Sequence, residues 1–476
     1  MKAYQLILTF ALCLSACSFQ PRASWVTTTE GEQWVEQDDL VSASSDTIPD
    51  IDAVVHTGKK LQKIDGFGAC FNELGWISLS KLDPTVREEI LEELFFPEIG
   101  ANFTICRMPV GANDFSRDWY SYNETDGDFD MQYFTIANDQ QTLIPFIKGA
   151  QKYNPDLSIW ASPWCPPSWM KYNKHYASAY TGETYSEKYR NGLPADKVGY
   201  EGTDMFIQDS LYLRAYALYF SKFIEAYRGQ GIDIFAVMPQ NEFNSAQIFP
   251  SCCWTAASLA DFIGNYLGPA MKELDVKVMF GTMERTNEAL VDTILTDPVS
   301  GKYISGVGFQ WAGKGAIKGV HERYPAMKLY QTEQECGDGR NDWSGAVYSW
   351  NLMRHYLDNG ASAYMYWNIS LDKGGISRWG WAQNSLVVVD PDAKTFHYTP
   401  EYYVMKHLSH YVQPGARKLE TSGQYSNLMA FVNPDKSIVV ALANEGNEER
   451  QVSVEIDGSV YQPVLPAHSI ATLLID

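Results

Sequence analysis

Two glutamates at the ends of short apolar runs are the residues of this chain best placed to do chemistry. Ile234-Phe235-Ala236-Val237-Met238 follows the turn-formers Gly229 and Gly231 and reads as a fully buried parallel strand. Pro239, which cannot donate a ladder hydrogen bond, closes it, and Gln240-Asn241-Glu242 come next. Met327-Lys328-Leu329-Tyr330-Gln331-Thr332-Glu333 repeats the pattern 91 residues later. One strand-end glutamate alone is as well explained by a helix cap or a solvated carboxylate. Two delivered to the same end of one barrel can flank a single glycosidic bond, one kept protonated as acid and the other ionised as nucleophile.

The elements that must position them are legible as a series. Buried-strand patterns occur at residues 65–70, 103–107, 157–161, 234–238, 276–280, 304–309, 328–331 and 363–367, separated by amphipathic or polar stretches. Eight strand-then-helix units predict an α/β fold, a (β/α)8 TIM barrel over residues 64–414. Asp83-Pro84 supplies an N-cap and a first-turn proline ahead of Val86, Ile90, Leu91 and Leu94. Tyr216, Phe220, Phe223 and Tyr227 recur at helical spacing before Gly229 stops the run. After Gly415 the period changes to two at residues 428–432, 438–443, 451–456 and 469–474, with Asn433-Pro434-Asp435 and Asp457-Gly458 among the turns. Residues 415–476 therefore read as a small antiparallel β-sandwich side domain, and the strand signal Ala53-Val54-Val55 within residues 51–63 is expected to pair with it.

Other segments carry expectations of their own. Lys2, the apolar Leu6 to Leu14 and Leu14-Ser15-Ala16-Cys17 resemble a leader with a lipobox over residues 1–17, which predicts export and a lipid on Cys17 as the only membrane contact. A plain secretory leader is the alternative. An outer-membrane or periplasmic-face lipoprotein would follow, with polar residues 18–50 as its tether. The long connection at residues 172–205 carries Tyr172, Tyr176, Tyr180, Tyr185, Tyr189 and Tyr200 and is expected to form a subsite wall. Net charge is −21, from 37 Lys and Arg against 58 Asp and Glu, which argues against nucleic acid or an anionic membrane surface as partner. Cys70, Cys106, Cys165, Cys252, Cys253 and Cys336 show no metal-ligand spacing, and no disulfide among them can be assigned. His407-x-x-His410 is better explained as a packed helix face than as a ligand pair.

Further polar and aromatic residues gather at the expected strand ends: Arg107 and Asp114, Trp164, Asn241, Trp311, Trp367 and Asn368. Indole faces can stack on a sugar ring while Asp and Asn bind its hydroxyls. Here the sequence resembles glycoside hydrolase family 30, the family of lysosomal glucosylceramidase. The resemblance rests on Arg107-Met108-Pro109 with Asp114-Phe115-Ser116, Ala161-Ser162-Pro163-Trp164, Asn241-Glu242, Thr332-Glu333 and Trp367-Asn368, and runs from Gln62 to the C-terminal module. It implies a retaining glycosidase with Glu242 as acid/base, Glu333 as nucleophile, and Asp114, Trp164, Asn241 and Trp367 around the glycone. It implies no cofactor and no metal, and a β-linked, glucose-configured glycan or glycoside as substrate. A β-glucosidase or β-1,6-glucanase is the activity it implies, with a β-xylosidase, β-fucosidase or glucosylceramidase as the alternative within the family. Departures bear on ceramide: Phe243 replaces Pro, Gln310-Trp311-Ala312 replaces His-Trp-Tyr, and Gln334-Glu335-Cys336 follows the nucleophile. Glu335 rivals Glu333 by spacing and Glu284 and Glu73 also end or follow strands; the Thr332-Glu333 match decides for Glu333. A surface lipoprotein that binds glycan without cleaving it is the alternative of another class.

Overall fold

The computed structural model describes residues 21–97 and 99–476; the expected leader and Cys17 lie outside them. Eight strands close into an all-parallel barrel: β1 (Gly66–Cys70), β2 (Ile105–Pro109), β3 (Ser158–Ser162), β4 (Ile234–Val237), β5 (Lys277–Met283), β6 (Ile304–Gln310), β7 (Leu329–Glu333) and β8 (Ala361–Asn368). Each pairs with its sequence neighbour and β8 pairs back onto β1. Every strand falls on an apolar run identified in the sequence, because a strand covered on both faces has little room for polar residues. The interior is plugged by Ile105, Trp160, Ala236, Met238, Met279, Tyr330, Ala363 and Met365. The barrel is thus a packed core, and chemistry is confined to its C-terminal mouth.

The surrounding helices follow their local signals. Asp83 accepts from the Thr85 N–H at 2.9 Å and starts the helix Pro84–Phe95. Asp209 caps Ser210–Gly229 the same way, and that helix buries Tyr216, Phe220, Phe223 and Tyr227. Burial of Phe220 and Phe223 contributes about 1.5–3 kcal/mol each. A three-stranded sheet, Ser370–Asp372, Val387–Asp390 and Thr395–Tyr398, follows β8 and was not expected from the sequence; the segment between its first two strands brings Trp381 to the cavity at the barrel mouth.

The second unit is a ten-stranded sheet enclosing its own core, the β-sandwich. Strand Ala53–Lys63 pairs antiparallel with Arg417–Gly423 and parallel with Val454–Ile456, as residues 51–63 were expected to do. Within residues 18–50, expected to be a tether, the described part from residue 21 onward corrects that expectation. Arg22–Thr29, Val35–Val41 and Ala43–Ser44 are strands of the same sheet, and Arg22–Thr29 lies beside the last strand, Ser469–Ile475. Ala23 and Trp25 are buried in the sandwich core. His407, on the last barrel helix, is buried between Thr472 and Thr28 of this sheet at 2.9 and 2.8 Å, and burial drives its pKa down to about 3. The pair His407/His410 thus packs one domain on the other. All six cysteines from Cys70 onward are free and buried.

Candidate active site

The period of two along the strands sets the floor of the site. Ile105 and Trp160 point into the barrel plug, so Arg107 and Ser162 point inward one layer higher, as do Thr332 above Tyr330 and Trp367 above Met365. Arg107 is fully buried there, its guanidinium 4.3 Å from the Trp164 ring, 4.9 Å from Trp160 and 5.5 Å from Trp367. It donates to Glu333 Oε2 at 2.8 Å, to Asn241 Oδ1 at 2.7 Å and to Ser162 Oγ at 2.8 Å. Strict alternation from Tyr330 and Thr332 would turn Glu333 outward. The register between β6 and β7 slips instead: Phe309 faces Gln331 but Gln310 faces Glu333. That bulge brings Glu333 onto Arg107.

Three residues at the mouth adopt left-handed backbone, Glu242 (φ 46°), Thr282 (φ 47°) and Trp311 (φ 46°). For a β-branched threonine this costs on the order of 1–3 kcal/mol and persists only where the surroundings enforce it. Thr282 Oγ1 accepts the Glu242 N–H at 2.8 Å, so two of the three strained residues hold each other.

Gln310 joins the two carboxylates. Its Nε2 lies 3.1 Å from Glu242 Oε1 and 3.2 Å from Glu333 Oε2, so those oxygens are at most about 6.3 Å apart. That bound accommodates the about 5–5.5 Å of a retaining pair and falls short of the about 6.5–9.5 Å of an inverting one. The environments differ. Glu242 is raised well above the usual carboxylate range by burial, then by the charges of Glu284 and Glu333. Burial also raises Glu333, but Arg107 and the N–H donors of Trp311 (2.9 Å to Oε1) and Gln310 oppose it. The arrangement can keep one carboxyl protonated while the other is ionised.

A cavity of about 240 Å³ opens over this pair, smaller than the about 300–1,000 Å³ of drug-sized sites. Of the residues expected to bind sugar, Asp114, Trp164 and Trp311 line it. Arg107, Asn241 and Trp367 lie just behind and hold the others: Trp367 stacks on Trp164 at 5.3 Å. Asn368 is further back, accepting from Asn72 and donating to Gln383, which lines the cavity. Asp114 Oδ1 is buried with no protein partner among the described residues. Burial, then the charge of Glu333, raises the Asp114 pKa. Glu335 is excluded from the cavity by its pairing with Lys314 at 2.5 Å and with the Tyr348 hydroxyl. Glu73 is held behind by Arg117, Asn138 and Thr142.

The tyrosine-rich connection is corrected: no residue of 172–205 lines the cavity. It braces the wall from outside, through Ser178 and Ala179 N–H groups on the Gln247 carbonyl and Asn191 on Ile248. In the sequence Gln310 stands out only as a departure from a motif and Glu284 only as one more strand-end carboxylate, and no signal marks Gln247, Phe249, Arg285, Trp381 and Gln383, which line the cavity. A larger open groove of about 910 Å³ between helix Trp343–Asp358 and the β-sandwich shares no residue with this cavity.

Two buried carboxyls within reach of one bond at the C-terminal mouth of a parallel barrel, under indole and Asp side chains, define a glycoside hydrolase of the (β/α)8 class. The glycosyl hydrolase family 30 TIM-barrel domain matches residues 64–192 and 195–412, and the family's beta sandwich domain matches residues 415–473. The chain belongs to glycosyl hydrolase family 30. It is 26% identical to the lysosomal acid glucosylceramidase of Mus musculus over 87% of this chain and 82% of that protein. It is 27% identical to the endo-1,6-beta-D-glucanase neg1 of Aspergillus fumigatus, over 87% of this chain and 85% of that one. The solved structure of the endo-beta1,6-glucanase BT3312 superposes with a TM-score of 0.80 at 24% identity, covering 95% of this chain and 99% of that one.

Proposed function

We propose that this protein is a retaining β-glycosidase acting on glucose-configured β-glycans, with β-1,6-linked glucan as the first candidate substrate. The observation that carries this reading is the single amide of Gln310 shared by Glu242 and Glu333. Glu333, ionised beside Arg107, attacks the anomeric carbon; Glu242 gives its proton to the leaving oxygen, and that bond breaks. A glycosyl ester on Glu333 results. Glu242, now a carboxylate, takes a proton from water as the water attacks the anomeric carbon, and Glu333 leaves. The endo-1,6-glucanase relatives support the linkage. The proposal includes export with a lipid on Cys17, supported by the Leu14-Ser15-Ala16-Cys17 sequence; fatty-acid labelling that disappears in Cys17→Ser tests it.

The decisive experiment is hydrolysis of aryl β-glycosides and β-1,6-glucan oligosaccharides by wild type, Glu242→Gln and Glu333→Gln, with the product anomer followed by NMR. The reading requires β product first and losses of several orders of magnitude in Glu333→Gln on every substrate. Saturable binding of glucan without cleavage would replace it by the glycan-binding alternative.

A further inference from the structure

Glu284 is left unused by the catalytic scheme. It follows the last residue of β5, two positions beyond Thr282, lines the same cavity as Glu242 and lies close enough for its charge to act on that carboxyl. It lines the cavity, yet is only 2% exposed. Its Oε1 is buried and finds no hydrogen-bond partner among the described residues; the nearest cation, Arg285 Nη1, stands at 3.6 Å. Arg285 is itself held by Glu201 and also lines the cavity. A buried carboxylate oxygen without a hydrogen bond is costly, and apolar residues of the same size would be more stable. Its position therefore points to a partner that comes with the substrate.

The cavity has two ends. Glu333 is held by Arg107 and Trp311, and its charge acts on Asp114, whereas Glu242 Oε2 lies 3.5 Å from Gln247 Nε2 and Glu242 is acted on by Glu284. A sugar undergoing attack by Glu333 lies over the Asp114 and Trp164 end. The group that receives the Glu242 proton then lies over Glu284, Arg285 and Gln247, with the Phe249 and Trp381 rings 6.5 Å apart beyond. Trp381 is 41% exposed, an apolar face at the mouth.

Resting on the retaining reading above, we propose that Glu284 is a specificity-determining residue of the leaving-group subsite, accepting a hydrogen bond from a hydroxyl of the departing unit. The substrate class is thereby a β-glycoside with a polyhydroxylated leaving group, a further sugar, rather than a lipid alcohol. A hydrocarbon chain laid over Glu284 leaves that carboxyl unsatisfied; a pyranose supplies the donor and stacks on Trp381. Burial holds Glu284 at about 7, opposed by Arg285, so it stays an acceptor in neutral solution for a substantial fraction of molecules.

The test compares two substrates with the same glycone, a β-linked disaccharide and its 4-nitrophenyl β-glycoside, on wild type, Glu284→Gln and Glu284→Leu. Loss of a hydrogen bond to a charged group lowers the ratio of kcat/KM for disaccharide over aryl glycoside by roughly tenfold or more in Glu284→Leu, and less in Glu284→Gln. The isosteric Gln variant keeps the comparison alive if Leu does not fold. On a disaccharide lacking the contacted hydroxyl, wild type falls to the level of the Leu variant. An unchanged ratio in both variants overturns the assignment of Glu284 while leaving the catalytic reading intact. A wild type that cleaves neither substrate overturns the catalytic reading itself.

Discussion

At the scale of single residues the site depends on how hydrogen bonds are divided between two carboxyls. Glu333 receives three donors, from Arg107, Gln310 and Trp311, while Glu242 receives one close donor, from Gln310, and faces Glu284. Replacing Gln310 by Leu removes the shared donor and leaves both carboxyls free to repel or to share a proton. We expect kcat to fall by roughly ten- to a hundredfold, with a smaller change in KM, in steady-state kinetics. The pH profile has a fixed sign. Activity needs Glu333 ionised and Glu242 protonated, so kcat/KM rises with pH as Glu333 ionises and falls as Glu242 does. Glu284→Gln removes the largest charge acting to keep Glu242 protonated, so the alkaline limb moves to lower pH. The two glutamates were legible in the sequence because each ends an apolar run. Glu284 carried the same signal yet nothing told it apart from a solvated carboxylate; its role depends on a neighbour 42 residues away in sequence. Gln310 was visible only as a substitution, since its meaning is a distance to two other strands.

At the scale of elements the barrel mouth is assembled from irregularities on regular strands. The bulge at Thr332 turns Glu333 inward, and left-handed backbone at Glu242, Thr282 and Trp311 re-aims the ends of three strands or their following residues. Gly281, immediately before Thr282, sits at φ +119° with no room for a side chain: a Cβ there would meet the Gly308 carbonyl oxygen at 2.2 Å. Gly281→Ala should cost about 2–4 kcal/mol, read as a lowered unfolding midpoint, with activity lost more than stability predicts because Thr282 moves. Strands were readable wherever both faces are buried. Val35–Val41, with Glu36, Asp38 and Asp39, is an exposed edge strand, and its charges made it look like linker. Charged edges are how sheets avoid pairing with other chains, so the feature that hid the strand is part of its design. The subsite role expected of residues 172–205 failed for a related reason: tyrosine content marks amphipathic surface, and here Tyr172, Tyr180, Tyr185 and Tyr200 are exposed away from the cavity lining.

At the scale of the molecule, burial of acids couples stability to pH. Glu401, on the last barrel helix, is raised to about 7 by burial, against a hydrogen bond from Asn384 at 2.9 Å. A raised pKa in the folded state contributes stability below the unfolded value, about 4.3, that is lost as pH rises through 7. The folded state should therefore be more stable at pH 5 than at pH 8, and Glu401→Gln should shrink that stability difference by an amount on the order of 3 kcal/mol. Thermal unfolding at the two pH values, wild type against variant, measures it. The net charge of −21 pushes in the same direction, through repulsion that grows as the remaining acids ionise, and persists in the variant.

Trapping the glycosyl-enzyme tests most directly whether Glu333 is the nucleophile. A 2-deoxy-2-fluoro β-glucosyl donor with a good leaving group should inactivate the enzyme, and peptide mass spectrometry should find one fluoroglucosyl unit on Glu333. Label on Glu335, Glu284 or Glu242 instead, or β-glucan hydrolysis that proceeds with inversion, would contradict it.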